Sequence, residues 1–213
     1  FEKEVDTIVV DETIMAHQPA RYLAAGSLDA IAKFVEVHHN RGAFTPTSVP
    51  VDVYAAYHSA ATTYELLNLF TEQACADVVE GKLTEAVHTV VFCNIALTGI
   101  ISSMTRGRGQ AALGHSFYNG LKTCFFDETH GYKHGELVGT GLLVQTAFDK
   151  NDELRSAVMS LLKKSNLPVT FAELGITDKE KGVRKLADYM ENYDGIKDIP
   201  EGKERLIAAL ETL

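Results

Sequence analysis

Asp29, His115 and His134 sit in local contexts that together suggest one divalent metal site. They stand in the contexts Ala25-Gly26-Ser27-Leu28-Asp29-Ala30, Leu113-Gly114-His115-Ser116-Phe117-Tyr118-Asn119-Gly120 and His130-Gly131-Tyr132-Lys133-His134-Gly135-Glu136. One carboxylate oxygen and two imidazole nitrogens leave the fourth position of a tetrahedral ion open, the ligand count of a catalytic zinc and not of a closed structural one. Spacing alone does not join the three, and each has an ordinary structural reading as well. Asp29 suits the first turn of a helix capped by Ser27, where an acid gains about 0.3–1 kcal/mol from the helix dipole. His115 beside Gly114 reads as a satisfied core histidine. His134 reads as a helix-start residue with Glu136 as its dipole partner.

The elements that would carry these residues are helical. Gly120 and Gly131 separate His115 from His134, which places them on two helices, and Asp29 lies far upstream, so only a folded domain gathers all three. Leu28, Ile31, Ala32 and Val35 form an i, i+3, i+4, i+7 stripe ending near residues 40–42. After a loop around Pro46 and Pro50, a long helix is expected over 51–79 and, past Gly81, an apolar one over 83–104. The two histidine-bearing helices should start near Gln110 and His134. Further helices are expected over 151–164, 179–192 and 202–212, with Pro168 and Gly175 punctuating the first link. The only strand-like segment is 5–11.

Composition narrows the function classes. A chain of 213 residues with 46% hydrophobic content can bury one compact core. Its formal charge of −9 argues against nucleic acid, which needs a basic face to neutralise phosphates. Cys75, Cys93 and Cys124 make no Cys-x-x-Cys pair, which suits reduced thiols in the cytoplasm. The most apolar run, 87–104, is interrupted by His88, Asn94 and Ser102-Ser103, whereas a membrane span needs about twenty cleaner residues. A helix buried at the middle of the domain is expected there, with no membrane partner. His38-His39 suits a helix C-terminus, where a cationic imidazole meets the dipole. His130, four residues before His134, is a candidate to line the substrate cleft.

Three segments carry a family resemblance. Gln18-Pro19-Ala20-Arg21-Tyr22-Leu23-Ala24-Ala25-Gly26 runs on to Asp29-Ala30-Ile31-Ala32-Lys33. His115-Ser116-Phe117-Tyr118-Asn119-Gly120-Leu121 follows, and then Glu128-Thr129-His130-Gly131-Tyr132-Lys133-His134-Gly135-Glu136 with Leu142-Leu143-Val144-Gln145. In this order they resemble the C-terminal, metal-binding half of the glycerol dehydrogenases, within the iron-containing alcohol dehydrogenase superfamily, over essentially the whole chain.

The resemblance implies an all-α helical-bundle metal-binding domain over 19–213, preceded over 1–18 by the linker and last strand of an α/β nucleotide-binding domain. It assigns Asp29, His115 and His134 as ligands of a zinc ion, with iron the alternative, that polarises a substrate hydroxyl for hydride transfer to NAD or NADP. Many iron-dependent relatives carry a fourth ligand, a His one helical turn after the Asp. Lys33 stands there, which favours the zinc branch. A small alcohol or polyol substrate, a cytoplasmic location and a homo-oligomer are implied as well. Arg106 and Arg108, in Thr105-Arg106-Gly107-Arg108-Gly109-Gln110, have no clear counterpart. They fit either a branch acting on an anionic hydroxy acid or a basic helix connection.

No cofactor-binding glycine turn accompanies the metal residues. Gly107, Gly109 and Gly114 fail the G-x-G-x-x-G spacing, and Gly139-Thr140-Gly141 sits in an apolar helical run. With Phe1 as its first residue, the chain reads as the C-terminal part of a two-domain enzyme, unable to turn over by itself. Related hydroxycarboxylate dehydrogenases fit as well. A dehydroquinate-synthase-like lyase fits less closely, since that family uses Glu where Asp29 stands. A metal-stabilised interaction domain without catalysis also remains open.

Overall fold

A computed structural model describes residues 7–37, 39, 45–105 and 112–213. Among them every regular element is helical, in agreement with the expected all-α class. The helices are α1 (Glu12–Met15), α2 (Ala20–Val37), α3 (Val51–Val79), α4 (Glu85–Phe92), α5 (Thr98–Thr105), α6 (Leu113–Cys124), α7 (Phe126–Thr129), α8 (His134–Phe148), α9 (Asp152–Lys164), α10 (Lys179–Met190), α11 (Asp194–Lys197) and α12 (Gly202–Leu210). The strand expected over 5–11 does not form in its described part. Residues 7–10 are neither helix nor strand, and Ile8 and Val9 are exposed. A lone strand leaves its ladder hydrogen bonds unmade, and no second strand occurs among the described residues to receive it.

Local signals place several helix starts. Asn151 caps α9 by accepting from the Leu154 N–H at 3.1 Å, and Asp178 caps α10 by accepting from Lys181 at 2.9 Å. Ser27, by contrast, caps nothing. It lies inside α2, where its hydroxyl donates to the Leu23 carbonyl at 3.1 Å and accepts from Thr71 at 3.2 Å. The helix starts earlier, just after Pro19, which leaves Asp29 in mid-helix. The macrodipole reading of Asp29 therefore falls.

The apolar run becomes α4 and α5 joined by one π-helical segment, Cys93–Leu97. It is long and apolar enough to cross a membrane by length and composition, and only 28% of its most apolar window is buried. It is thus not the middle of the domain. Val87, Val90, Val91 and Cys93 turn inward, while Phe92 and Ile100 are about half exposed.

The middle is α8, in which every residue from Gly135 to Thr146 is buried. It packs between α2 and α6, with α9 and α12 completing its surroundings. The helices α3, α4 and α5 cover the far side of α2, and α10 covers α6. Two glycines let the backbones approach. A Cβ on Gly135 would sit 1.9 Å from the Ala25 carbonyl oxygen on α2, and one on Gly141 would sit 2.5 Å from the Gly114 carbonyl oxygen on α6. Backbone cannot swing aside as a side chain can. Gly135→Ala should therefore destabilise the fold by about 1–3 kcal/mol or more despite alanine's better helix propensity. Chemical denaturation would read it, and unchanged stability would mean that α2 and α8 separate easily.

Candidate metal centre

The three helices that meet at these glycines each bring one candidate ligand. Asp29 comes from the middle of α2, His115 from the first turn of α6, and His134 is the first residue of α8. Their ligand atoms all lie within 4.8 Å of one another. Asp29 Oδ1 is 3.0 Å from His134 Nε2 and 3.7 Å from His115 Nε2. Although buried, that oxygen has no hydrogen-bond partner beyond these two imidazoles. Leaving a buried carboxylate oxygen unmatched costs free energy, and a cation shared with the two imidazoles would satisfy it. The side chains remain 31%, 18% and 43% exposed for Asp29, His115 and His134, so the cluster is open on one side. Tyr118 sets its ring edge-on to His134 at 4.4 Å between centroids.

A buried carboxylate that sequence reading passed over orients the cluster. Glu36, two turns beyond Asp29 on α2, accepts from the backbone N–H groups of Ala112 at 2.7 Å and His115 at 2.9 Å. Its other oxygen takes the His115 Nδ1–H at 2.5 Å. Holding the proton on Nδ1 leaves the Nε2 lone pair for a ligand, the arrangement in which carboxylates support metal-bound histidines. Gln145 of α8 ties the same region together, accepting from Leu113 N–H at 3.0 Å and donating to the Val35 carbonyl at 2.8 Å. At the other end Glu136, fully buried, accepts from the Lys133 N–H at 2.8 Å and from Arg21, with one guanidinium contact at 2.7 Å. That pair clamps α2 to the start of α8 beside His134. A seven-residue step from Asp29 to Glu36 puts both on one helical face, and that was the available signal.

Other sequence candidates lie elsewhere. His130 is exposed, and its Nδ1–H donates to the Asp127 carbonyl at 2.8 Å and not to a member of the ligand cluster. His39 is buried against Phe148, with its ring nitrogens 2.9 Å from Asp149 and 3.3 Å from the Gly195 carbonyl. Tertiary partners thus replace the solvated helix end expected for it. His38, Arg106 and Arg108 lie outside the described residues.

No family model matches the chain. Glycerol dehydrogenase of Pseudomonas putida is 36% identical to it over 188 residues, which are 84% of this chain and 49% of that protein. Glycerol dehydrogenase of Thermotoga maritima is 32% identical over 173 residues, 80% of this chain and 46% of the relative. The chain is a homologue of the glycerol dehydrogenases. It spans about half the length of these relatives. The crystal structure of a probable glycerol dehydrogenase from Sinorhizobium meliloti shares the fold, with a TM-score of 0.79 at 24% identity, over 97% of this chain and 58% of that one. Hydroxycarboxylate dehydrogenase A of Escherichia coli is also similar, at 29% identity over 79% of the chain and 46% of that protein.

The electrostatics of this homologue keep its cluster ready for a cation. Burial raises the Asp29 pKa, but His134, Lys33 and His115 outweigh it and hold the carboxyl below its ordinary 3.8. Asp29 therefore stays ionised through the neutral range. For His115, burial works against the charged ring, and the Glu36 carboxylate overcomes it, so the pKa lies above its ordinary 6.5. An incoming metal ion must displace that second proton.

Proposed function

We propose that this chain is the metal-binding half of a nicotinamide-dependent dehydrogenase acting on small hydroxyl compounds. Asp29, His115 and His134 would hold one divalent ion, zinc by the donor set of one carboxylate and two imidazoles. When bound, such an ion supplies Lewis-acid polarisation of a substrate hydroxyl. Asp29 contributes negative charge that favours the ion. Glu36 fixes the tautomer and direction of the His115 ring. The Arg21–Glu136 clamp sets the position of His134, and the open side of the cluster admits the substrate. The dinucleotide, NAD or NADP, would be held by an N-terminal nucleotide-binding domain facing this cleft, with the protein a cytoplasmic homo-oligomer.

The observation that carries the reading is the convergence of the buried Asp29 oxygen, which has no partner outside the cluster, with two imidazole nitrogens within 4.8 Å. Kinship with dehydrogenases supports the reaction class. Elemental analysis after zinc loading should give one zinc for each chain, and titration calorimetry with NAD should give no binding heat on this chain alone. A chain that loads no zinc would overturn the metal reading. Tight NAD binding would overturn the division of labour.

A further inference from the structure

One helical face of α2 forms the floor of the site. Tyr22, Gly26, Asp29 and Lys33 follow one another by about a turn and are exposed or half-buried, whereas Leu23, Leu28, Ile31, Ala32 and Val35 face the core. Lys33 therefore stands beside Asp29 on the open side of the cluster, and its charge is felt at both Asp29 and His115. It makes no ion pair or hydrogen bond among the described residues. A half-buried ammonium normally finds a carboxylate or extends into water.

The charges of the site point the same way. Arg21 and Glu136 neutralise each other. Once a divalent ion is held, Asp29 and Glu36 balance it, and Lys33 remains as surplus positive charge. A neutral polyol does nothing for that surplus. A substrate carboxylate does.

We propose that the site selects small 2-hydroxy acids, with the carboxylate on the Lys33 ammonium and the neighbouring hydroxyl at the ion. This rests on the metal reading above and names its substrate class. Lys33 lies four residues along the helix, a rise of about 6 Å, from the level of Asp29. The two adjacent oxygen-bearing carbons of a 2-hydroxy acid, together with one hydrogen bond, bridge such a distance.

The test uses the full chain loaded with cobalt(II), whose visible spectrum reports on ligands at the ion without any turnover. Lactate and 1,2-propanediol differ only in replacing a carboxylate with a hydroxymethyl group. Lactate should perturb the spectrum at a concentration about tenfold to a hundredfold lower than the diol, as suits one charge-assisted hydrogen bond. Lys33→Met should abolish that preference without changing cobalt content, and Lys33→Arg should retain it. A carboxylate can also bind the ion directly, so a preference for lactate that survives Lys33→Met overturns the assignment. Full cobalt uptake with the diol bound as well as lactate overturns this inference alone. Failure to take up cobalt overturns it together with the metal reading.

Discussion

An Asp29→Ala variant should keep its fold and lose divalent-metal binding by more than about a hundredfold. The lower bound comes from groups that merely support ligands, whose loss already costs 10–100-fold in affinity; Asp29 is a proposed ligand. The variant should also lose some metal-free stability at neutral pH, because the carboxylate it removes is held ionised by His134, Lys33 and His115, so stability without metal does not report on the ligand role. The decisive measurement is thermal melting with and without zinc. Zinc at about a thousand times its dissociation constant should stabilise the wild-type chain by about 4 kcal/mol and leave the melting of Asp29→Ala unmoved. Equal zinc protection of both proteins would remove Asp29 from the ligand set.

Changes at Glu36 should separate architecture from chemistry. In Glu36→Ala, the N–H groups of Ala112 and His115 and the His115 Nδ1–H lose their common acceptor, and breaking a buried charged network of this kind costs about 3–5 kcal/mol. Glu36→Gln should fold, because one amide oxygen can still accept from both backbone donors. Its amide nitrogen would then face His115 Nδ1, moving the ring proton to Nε2 and weakening zinc binding by about 10–100-fold.

The pH dependence should change as well. In the zinc-free wild-type chain the folded His115 pKa lies above its ordinary 6.5. Its contribution to stability is therefore fully present below that value and fades as pH rises through the raised one. Glu36→Gln should flatten this part of the stability profile relative to wild type. A Glu36→Gln chain with wild-type zinc affinity and an unchanged pH profile would show that the carboxylate does not govern the ring.

The helices were largely legible in the chain because their signals are local. The 51–79 helix has the expected bounds, and the starts after Asn151 and Asp178 follow from side chains that satisfy neighbouring N–H groups. The single-turn helices α1, α7 and α11 were not legible, since one turn is too short to display an apolar period. The N-terminal strand misled because alternation describes a segment's preference, while a strand exists only with a partner. Ser27 misled in a similar way. Serine is favoured at caps, but here Leu23 and Thr71 engage its hydroxyl within the helix.

The sequence by itself determined the all-helical class, the acidic surface charge and, through ordered motifs, three residues of the right type to hold an ion. Those are properties of residue identity and of short-range period. Only the tertiary structure decided that Asp29, His115 and His134 converge within 4.8 Å, that the buried Asp29 oxygen has no partner outside them, and that Glu36 holds the His115 ring. Each of these depends on three helices approaching at Gly135 and Gly141. That approach is set by packing among residues far apart in the chain, a quantity no local window contains.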